Sequence, residues 1–454
     1  MLHGHPDNDF EARELIRHAA LPIGEASTDY RPLMEAIGDA RLVLLGEASH
    51  GTHEFYRERA RITEQLIMEK GFNAVAVEAD WPDTYEVNRF VRGISERSDA
   101  KESLAKASLE GFKRFPTWMW RNVDVLNFIT WLHNYNAEQL ENDRVGFYGL
   151  DLYSLYNSIH AVIEYLGNID PAAAELARER YACFDRFDKD LQDYGFMSAY
   201  GLEESCEDAV VKQLTELRQH AWEYAHQDTL RGEEEFFNAE MNARVARSAE
   251  KYYRSMFKGR VNSWNLRDSH MFETMMSLMN HLSRNRDTKM VIWAHNSHIG
   301  DARATEMGSM GELNIGQLVR QQFQDLAYLV GFSTYTGTVT AASNWDAPAE
   351  RKQVRKALPE SYEHLFHEVG IPNYLLLLRD DEPLRQSLSK SRLERAIGVI
   401  YAPRTERQSH YFHSSISAQF DAVIHFDETN AVEPLERNPQ WERGEVPETF
   451  PSAY

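Results

Sequence analysis

The sequence predicts an α/β protein: a mainly parallel sheet flanked by helices, with a helical insertion subdomain covering the site at one sheet edge. Three observations carry this. Short apolar, β-branched runs such as Leu42–Leu45 and 290–294 are too short for helices and suit strands buried on both faces. These runs alternate with amphipathic helical stretches over short connections, the pattern of βαβ units. Several of them break abruptly into Gly, Ser, His or carboxylate, at the strand ends where open α/β sheets bind ligands.

From the N-terminus, 10–18 reads as a helix, Pro22-Ile23-Gly24 as a turn and 30–37 as a second helix. Leu42–Leu45 is the first buried strand, and 46–52 the turn leaving it. His53–Lys70 carries Phe55, Ile62, Leu66 and Ile67 on one helical face, with Gly71 as its C-cap. A second buried strand starts at Ala74 and ends in Glu78 and Asp80. Further strands are expected at 145–150, ending at Asp151, and at 290–294, 326–332, 374–378, 396–401 and 422–426.

Between Asp170 and Arg286 strand patterns vanish, and Glu, Arg, Gln and Ala recur at helical spacing over 172–191, 203–226 and 233–257. A last helix, 264–282, carries Met271, Met275, Met276 and Met279. That stripe serves either as core filler or as an adaptable apolar wall for a bulky substrate. The expected organisation is 1–169 as the first part of an α/β core, 170–286 as the helical insertion and 287–430 as the second part of the core. The remaining 431–454 is expected to be an irregular tail, marked by Pro434, Pro439, Pro447 and Pro451.

With 43% hydrophobic and 11% aromatic residues, the chain can bury a substantial core. The 49 basic against 71 acidic residues leave a net charge of −22, which argues against a nucleic-acid or anionic-membrane partner. The excess serves solubility, or favours cationic substrates near a cleft. Two cysteines, Cys183 and Cys206, form no disulfide framework and no CxxC pair, so a reducing cytoplasm is the expected compartment. The first residues show no basic-then-apolar secretory pattern, and no apolar run approaches the ~18 residues of a membrane span.

The chemistry concentrates in two stretches. Gly46-Glu47-Ala48-Ser49-His50-Gly51 follows the first strand, and Trp293-Ala294-His295-Asn296-Ser297-His298 leaves a later one. A carboxylate in reach of an imidazole raises its basicity and fixes its tautomer, so Glu47 makes His50 a credible general base. Glu78 ends the neighbouring strand, and two close carboxylates push one pKa upward, unless an arginine pairs with one of them. Arg59, about two and a half helical turns after His50, serves ion pairing or transition-state stabilisation. His295 and His298, three apart, suit a shared metal or two donors to an oxyanion. His53, His410 and His413 are weaker candidates. No GxSxG elbow exists, and neither cysteine lies near the strand ends, which leaves water attack assisted by histidine.

The same segments resemble the erythromycin esterase family. The resemblance rests on 46–51, on Glu78 within Ala-Val-Glu-Ala-Asp-Trp, and on the Trp293–Arg303 stretch. It continues through 311–318, 397–401, 406–412 and 420–425, so that it spans roughly 35–430. It implies an α/β core with a helical subdomain forming a cleft, and hydrolysis of a macrocyclic lactone ester without a required metal. The family's general base falls on His50, with Glu47, Arg59 and Glu78 around it and His295 and His298 opposite. This chain looks closer to the uncharacterised branch than to the resistance esterases, so its substrate need not be a macrolide. The expectation is a cytoplasmic carboxylic ester hydrolase acting on a small-molecule ester or macrolactone, without cofactor, nucleic acid or membrane. Two alternatives stand beside it: a divalent-metal hydrolase with His50, Glu78, His295 and His298 as ligands, and a non-catalytic small-molecule binding protein.

Overall fold

Among the described residues the fold is built on eleven strands, β1 (Leu21–Pro22), β2 (Leu42–Leu45), β3 (Ala74–Asp80), β4 (Gly146–Asp151), β5 (Met290–Trp293), β6 (Ala327–Ala341), β7 (Glu350–Val354), β8 (Asn373–Leu377), β9 (Arg392–Arg395), β10 (Tyr411–Ser414) and β11 (Ala422–Thr429). They are taken from a computed structural model that describes residues 6–24, 26, 29–94, 101–187, 191–225 and 230–444. Nine strands form one sheet in the order β1-β8-β11-β6-β2-β5-β3-β4, with β7 paired to β6. The six from β11 to β4 run parallel. β8, β1 and β7 add antiparallel edges.

Alternation along each strand sorts its residues to opposite faces. Val43, Leu45, Val75, Val77, Val291 and Trp293 share one core with Phe55, Ile62 and Leu66 of the His53–Lys70 helix. Leu42, Leu44, Ala74, Ala76, Met290 and Ile292 share the other with Met271, Met275 and Leu278 of the Arg260–Leu282 helix. The methionine stripe is thus buried against the sheet. The helices between Leu155 and Ser255 gather a third core of their own, which includes Leu166, Tyr194, Val210 and Ala246.

Several local expectations change. Leu21–Pro22, expected as part of a turn region, forms a two-residue edge strand opposite Tyr374 and Leu375, a position where the missing proline N–H costs no ladder bond. Residues 396–401 are not a sheet strand. The ladder here is β9 with β10, and the segment after it makes single bridges, Ile397 to Ser49 and Ile400 to Ala342. Its backbone is instead used against the first strand-end loop, where Ile397 N donates to the Ala48 carbonyl at 2.8 Å. β6 runs on to Ala341 because β7 folds back along its far end. Cys183 and Cys206, expected to contribute no disulfide, are joined to each other across 23 residues of the helical layer. The expected irregular tail includes a short helix, Pro439–Arg443, that packs Trp441 inward. Its remainder, 445–454, lies outside the described residues. No helix among the described residues is long and apolar enough to cross a membrane.

Candidate active site

β5 lies between β2 and β3, with Trp293 in register with both Leu45 and Val77. Three parallel strands therefore deliver Glu47, Glu78 and His295 to one edge. The turn after β2 is held too tightly for any side chain at its glycines. A Cβ on Gly46 would stand 2.1 Å from Asn296 Oδ1, and one on Gly51 would stand 1.8 Å from the Thr340 carbonyl oxygen. Asn296 locks the two strand ends together: its N–H donates to the Glu47 carbonyl at 2.8 Å, and its amide donates to the Phe332 carbonyl at 2.7 Å.

Within this frame Glu47 Oε1 lies 2.9 Å from His50 Nδ1. Arg59 Nη2 lies 2.8 Å from Glu47 Oε2. Arg59 is 1% exposed and packs over the rings of Tyr56 and Trp293. It faces Glu47 and does not line the cleft. With an ionised carboxylate at Nδ1, the His50 proton sits there and Nε2 is left as the acceptor. The Tyr56 hydroxyl donates to the His50 carbonyl at 3.0 Å, which fixes the backbone of the same residue.

On the other side of the cleft the organising group is Arg267, from the Arg260–Leu282 helix. Its Nη2 donates to Glu78 Oε1 at 2.7 Å and to Asp151 Oδ2 at 2.6 Å, and its Nε to Asp151 Oδ1 at 3.0 Å. Its Nη1 stands 2.9 Å from His298 Nε2. A guanidinium can only donate, so His298 is here the neutral tautomer with its proton on Nδ1, facing Asp268 Oδ1 at 2.9 Å. Asp268 and Glu78 nevertheless raise the His298 pKa against the opposing effect of burial, so a proton arriving there must displace Arg267. Trp264 stacks flat on His298, with ring centroids 4.5 Å apart.

Burial alone would raise the Glu78 carboxyl, but the positive charges of His298, in its protonated form, and of Arg267 outweigh it and hold the group far below the usual carboxylate range. Its Oε2 accepts the His295 backbone N–H at 2.8 Å. Glu78 is therefore an ionised, arginine-paired acceptor. Burial, then repulsion from His50, pushes His295 well below its ordinary pKa and keeps it neutral. Its Nδ1 accepts from Ser297 N at 3.2 Å, which places its proton on Nε2. The His50 and His295 rings are 4.9 Å apart.

Of the six residues expected from sequence, Glu47, His50 and Arg59 form one connected group, Glu78 and His298 a second through Arg267, and His295 stands between them. His50, Glu78, Asp151 and Arg267 line a cavity of about 230 Å³. His53 pairs instead with Asp124 at 2.8 Å, and His410 accepts from the Ala402 N–H. Arg267 and Asp268 escaped the sequence reading. The available signal was spacing: both lie three to four residues before buried Met271, so an ionic pair sits on an apolar helix face. Among the described residues no group of three or more His, Cys, Asp or Glu side chains is arranged to hold a metal. The position a cation would take between Glu78, Asp151 and His298 is filled by the guanidinium of Arg267.

A doubly covered, mostly parallel sheet of α/β architecture thus carries a histidine, a paired carboxylate and a buried arginine at its strand ends. Residues 67–429 match the model of the family described as "Erythromycin esterase", and the chain belongs to that family. The match begins after Glu47, His50 and Arg59, so the first strand-end loop lies outside it. The chain is 24% identical over 430 residues to "Putative hydrolase YbfO" of Bacillus subtilis (strain 168), covering 90% of this chain and 88% of that one. It is 21% identical over 399 residues to "Erythromycin esterase type II" of Escherichia coli, covering 82% and 91%. Among solved structures, a Bacillus cereus protein superposes with a TM-score of 0.77 at 20% identity, over 95% of this chain and all of that one. A mutant of the erythromycin esterase EreC in its open conformation superposes at 0.61 and 16% identity, over 92% and 97%.

Proposed function

We propose that the protein hydrolyses a carboxylic ester of a small molecule by histidine-assisted water attack. One observation carries the reading: His50 lines the cavity with Nδ1 held by Glu47, which leaves Nε2 as the proton acceptor in a cavity that Arg267 also lines. In the proposed sequence His50 Nε2 takes a proton from water, and the resulting hydroxide adds to the ester carbonyl carbon. The negative charge that develops on the carbonyl oxygen is met by Arg267, whose contacts to Asp151, Glu78 and His298 occupy four of its five N–H groups and leave one uncommitted. His295, with its Nε2 buried and its ring 4.9 Å from that of His50, acts as a positioning residue. Collapse expels the alcohol, which takes back the proton from His50, and releases the acid. Arg59 acts through Glu47, and His298 through Arg267, as positioning residues. The names of its relatives support a macrolactone or another ester as the substrate.

The test is hydrolysis of a panel of macrolides and simple esters by the wild type and His50→Ala, with and without a chelator. Loss of a general base lowers kcat by about 10²–10⁴, with an unchanged circular dichroism spectrum and no effect of the chelator. Activity of His50→Ala within about tenfold of wild type overturns the assignment. Chelator-sensitive turnover with stoichiometric metal would favour the divalent-metal alternative. Tight binding with the ligand recovered unchanged by mass spectrometry would instead favour a binding protein.

A further inference from the structure

The cavity that holds His50 adjoins a second one. The inner chamber, of about 230 Å³, carries the reacting groups. The outer vestibule, of about 1090 Å³, is walled by Tyr153, Tyr156, Tyr252, Tyr253, Met256 and Trp345. The two share Asp83, Arg114, Phe115, Tyr153 and Trp345 in their linings, so these five residues form the boundary that any passage between them crosses. Small-molecule sites generally span roughly 300–1,000 Å³. The inner chamber falls below that range and the vestibule reaches its upper end, so only part of a substrate reaches His50 while the remainder stays outside.

Arg114 is the passage residue free to set what enters. Its side chain is 42% exposed, and its Nε lies 3.4 Å from Asp80 Oδ2, longer than a firm hydrogen bond. Asp80 is fixed independently, since its Oδ1 accepts the N–H groups of Tyr153 at 2.7 Å and Ser154 at 3.2 Å. The Arg114 guanidinium lies 4.3 Å from the centroid of the Tyr153 ring. The same ring faces Arg267 at 5.1 Å, so one aromatic side chain joins the passage to the catalytic arginine. Phe115 and Trp345 stand together, with centroids 5.0 Å apart.

We propose that Arg114 is a specificity-determining residue that divides the cleft, so that the substrate is an ester small on the side that reaches His50 and large, flat and apolar on the side left against the vestibule rings. This rests on the ester-hydrolase reading above. It also disfavours substrates bulky on both sides of the carbonyl, a large macrolactone included, because these must displace Arg114 from Tyr153 and Asp80 before the carbonyl reaches the chamber.

The experiment compares kcat/KM for 4-nitrophenyl acetate, 4-nitrophenyl 2-naphthoate and a fourteen-membered macrolactone in the full chain, its Arg114→Ala variant and its Arg114→Gln variant. The naphthoate-to-acetate ratio rises at least tenfold in Arg114→Ala, with Arg114→Gln between it and the wild type, and the macrolactone follows the naphthoate. A ratio unchanged within twofold overturns the division of the cleft while leaving the hydrolase reading intact. Should the wild type cleave none of the three, the hydrolase reading fails, and the division is then decided by calorimetry with N-(2-naphthyl)-2-naphthamide, bulky on both sides of its carbonyl. At least tenfold tighter binding by Arg114→Ala supports the division, and equal affinity rejects it.

Discussion

At the scale of residues, the site is two ionic groups that meet across a histidine. Glu47 and His50 lie three apart in a turn, and that pairing was readable because the turn follows a buried strand and both residues must leave it on the same side. Arg267 was not readable as a partner of Glu78. The two are 189 positions apart, and no local pattern connects the end of a strand to the second turn of a distant helix. The energetic consequence is sharp, because Arg267 neutralises both Glu78 and Asp151 in a buried setting. Removing one partner of a buried ion pair costs about 3–5 kcal/mol. Arg267→Met is therefore expected to lose that much stability in urea unfolding at neutral pH, and most of its activity with it. A loss below about 1 kcal/mol would show that water already screens the cluster.

At the scale of elements, the helical layer between Leu155 and Ser255 holds its own core and is tied internally by Cys183–Cys206. The bond closes a 23-residue separation that spans the Leu191–Ala199 helix, whose Leu191 and Gln192 line the vestibule. Tyr194 on that helix accepts the Cys206 backbone N–H at 2.9 Å and donates to Glu250 at 2.6 Å. A closed loop of this length restrains the unfolded chain by about 3 kcal/mol. Reduction, or the double substitution Cys183→Ser with Cys206→Ser, should lower the unfolding free energy by about that amount. Hydrogen exchange would localise the loss to the 182–206 region, and uniform exchange through the sheet would contradict this account. The apolar sheet strands were the legible elements, because a four-residue apolar run has few other ways to be buried, whereas Leu21–Pro22, Glu350–Val354, Arg392–Arg395 and Tyr411–Ser414 offer no such run and were not expected. The segment 396–401 misled for the same reason. It is as apolar as a strand, yet its backbone bonds are divided among Ala48 and His50 of the first strand-end loop, Ala342 and His410.

For the whole molecule, two sets of buried groups pull stability in opposite directions as pH falls: burial raises Glu64 and Asp83 to about 7 and Glu394 to about 8, which favours the fold at acid pH, and two histidines do the reverse. Burial lowers His270 to about 4, and burial together with Arg284 lowers His281 to about 4. Both side chains stay neutral in the fold but charge in the unfolded chain near 6.5. At these two sites the unfolded state then binds more protons, so their contribution to stability is full above pH 6.5 and falls as pH drops toward 4. Glu78, held below its ordinary value by His298 and Arg267 against the pull of burial, adds a second loss as pH falls below about 4.5. In thermal melts from pH 8 to 4, His270→Gln should gain melting temperature relative to the wild type as pH falls below about 6.5. Parallel profiles for the two proteins would show that His270 does not titrate differently in the fold.

The sequence by itself determined the α/β class, the first strand-end loop with Glu47 and His50, and the second with His295 and His298. Strand burial and the abrupt break into polar residues are local properties, written within a few positions of each other. The family followed from the same local motifs. Only the tertiary structure decided which charges meet: that Arg59 serves Glu47, that Arg267 gathers Glu78, Asp151 and His298, and that Arg114 stands between two chambers. Those contacts join positions tens to hundreds of residues apart, and their energies depend on the burial that packing creates.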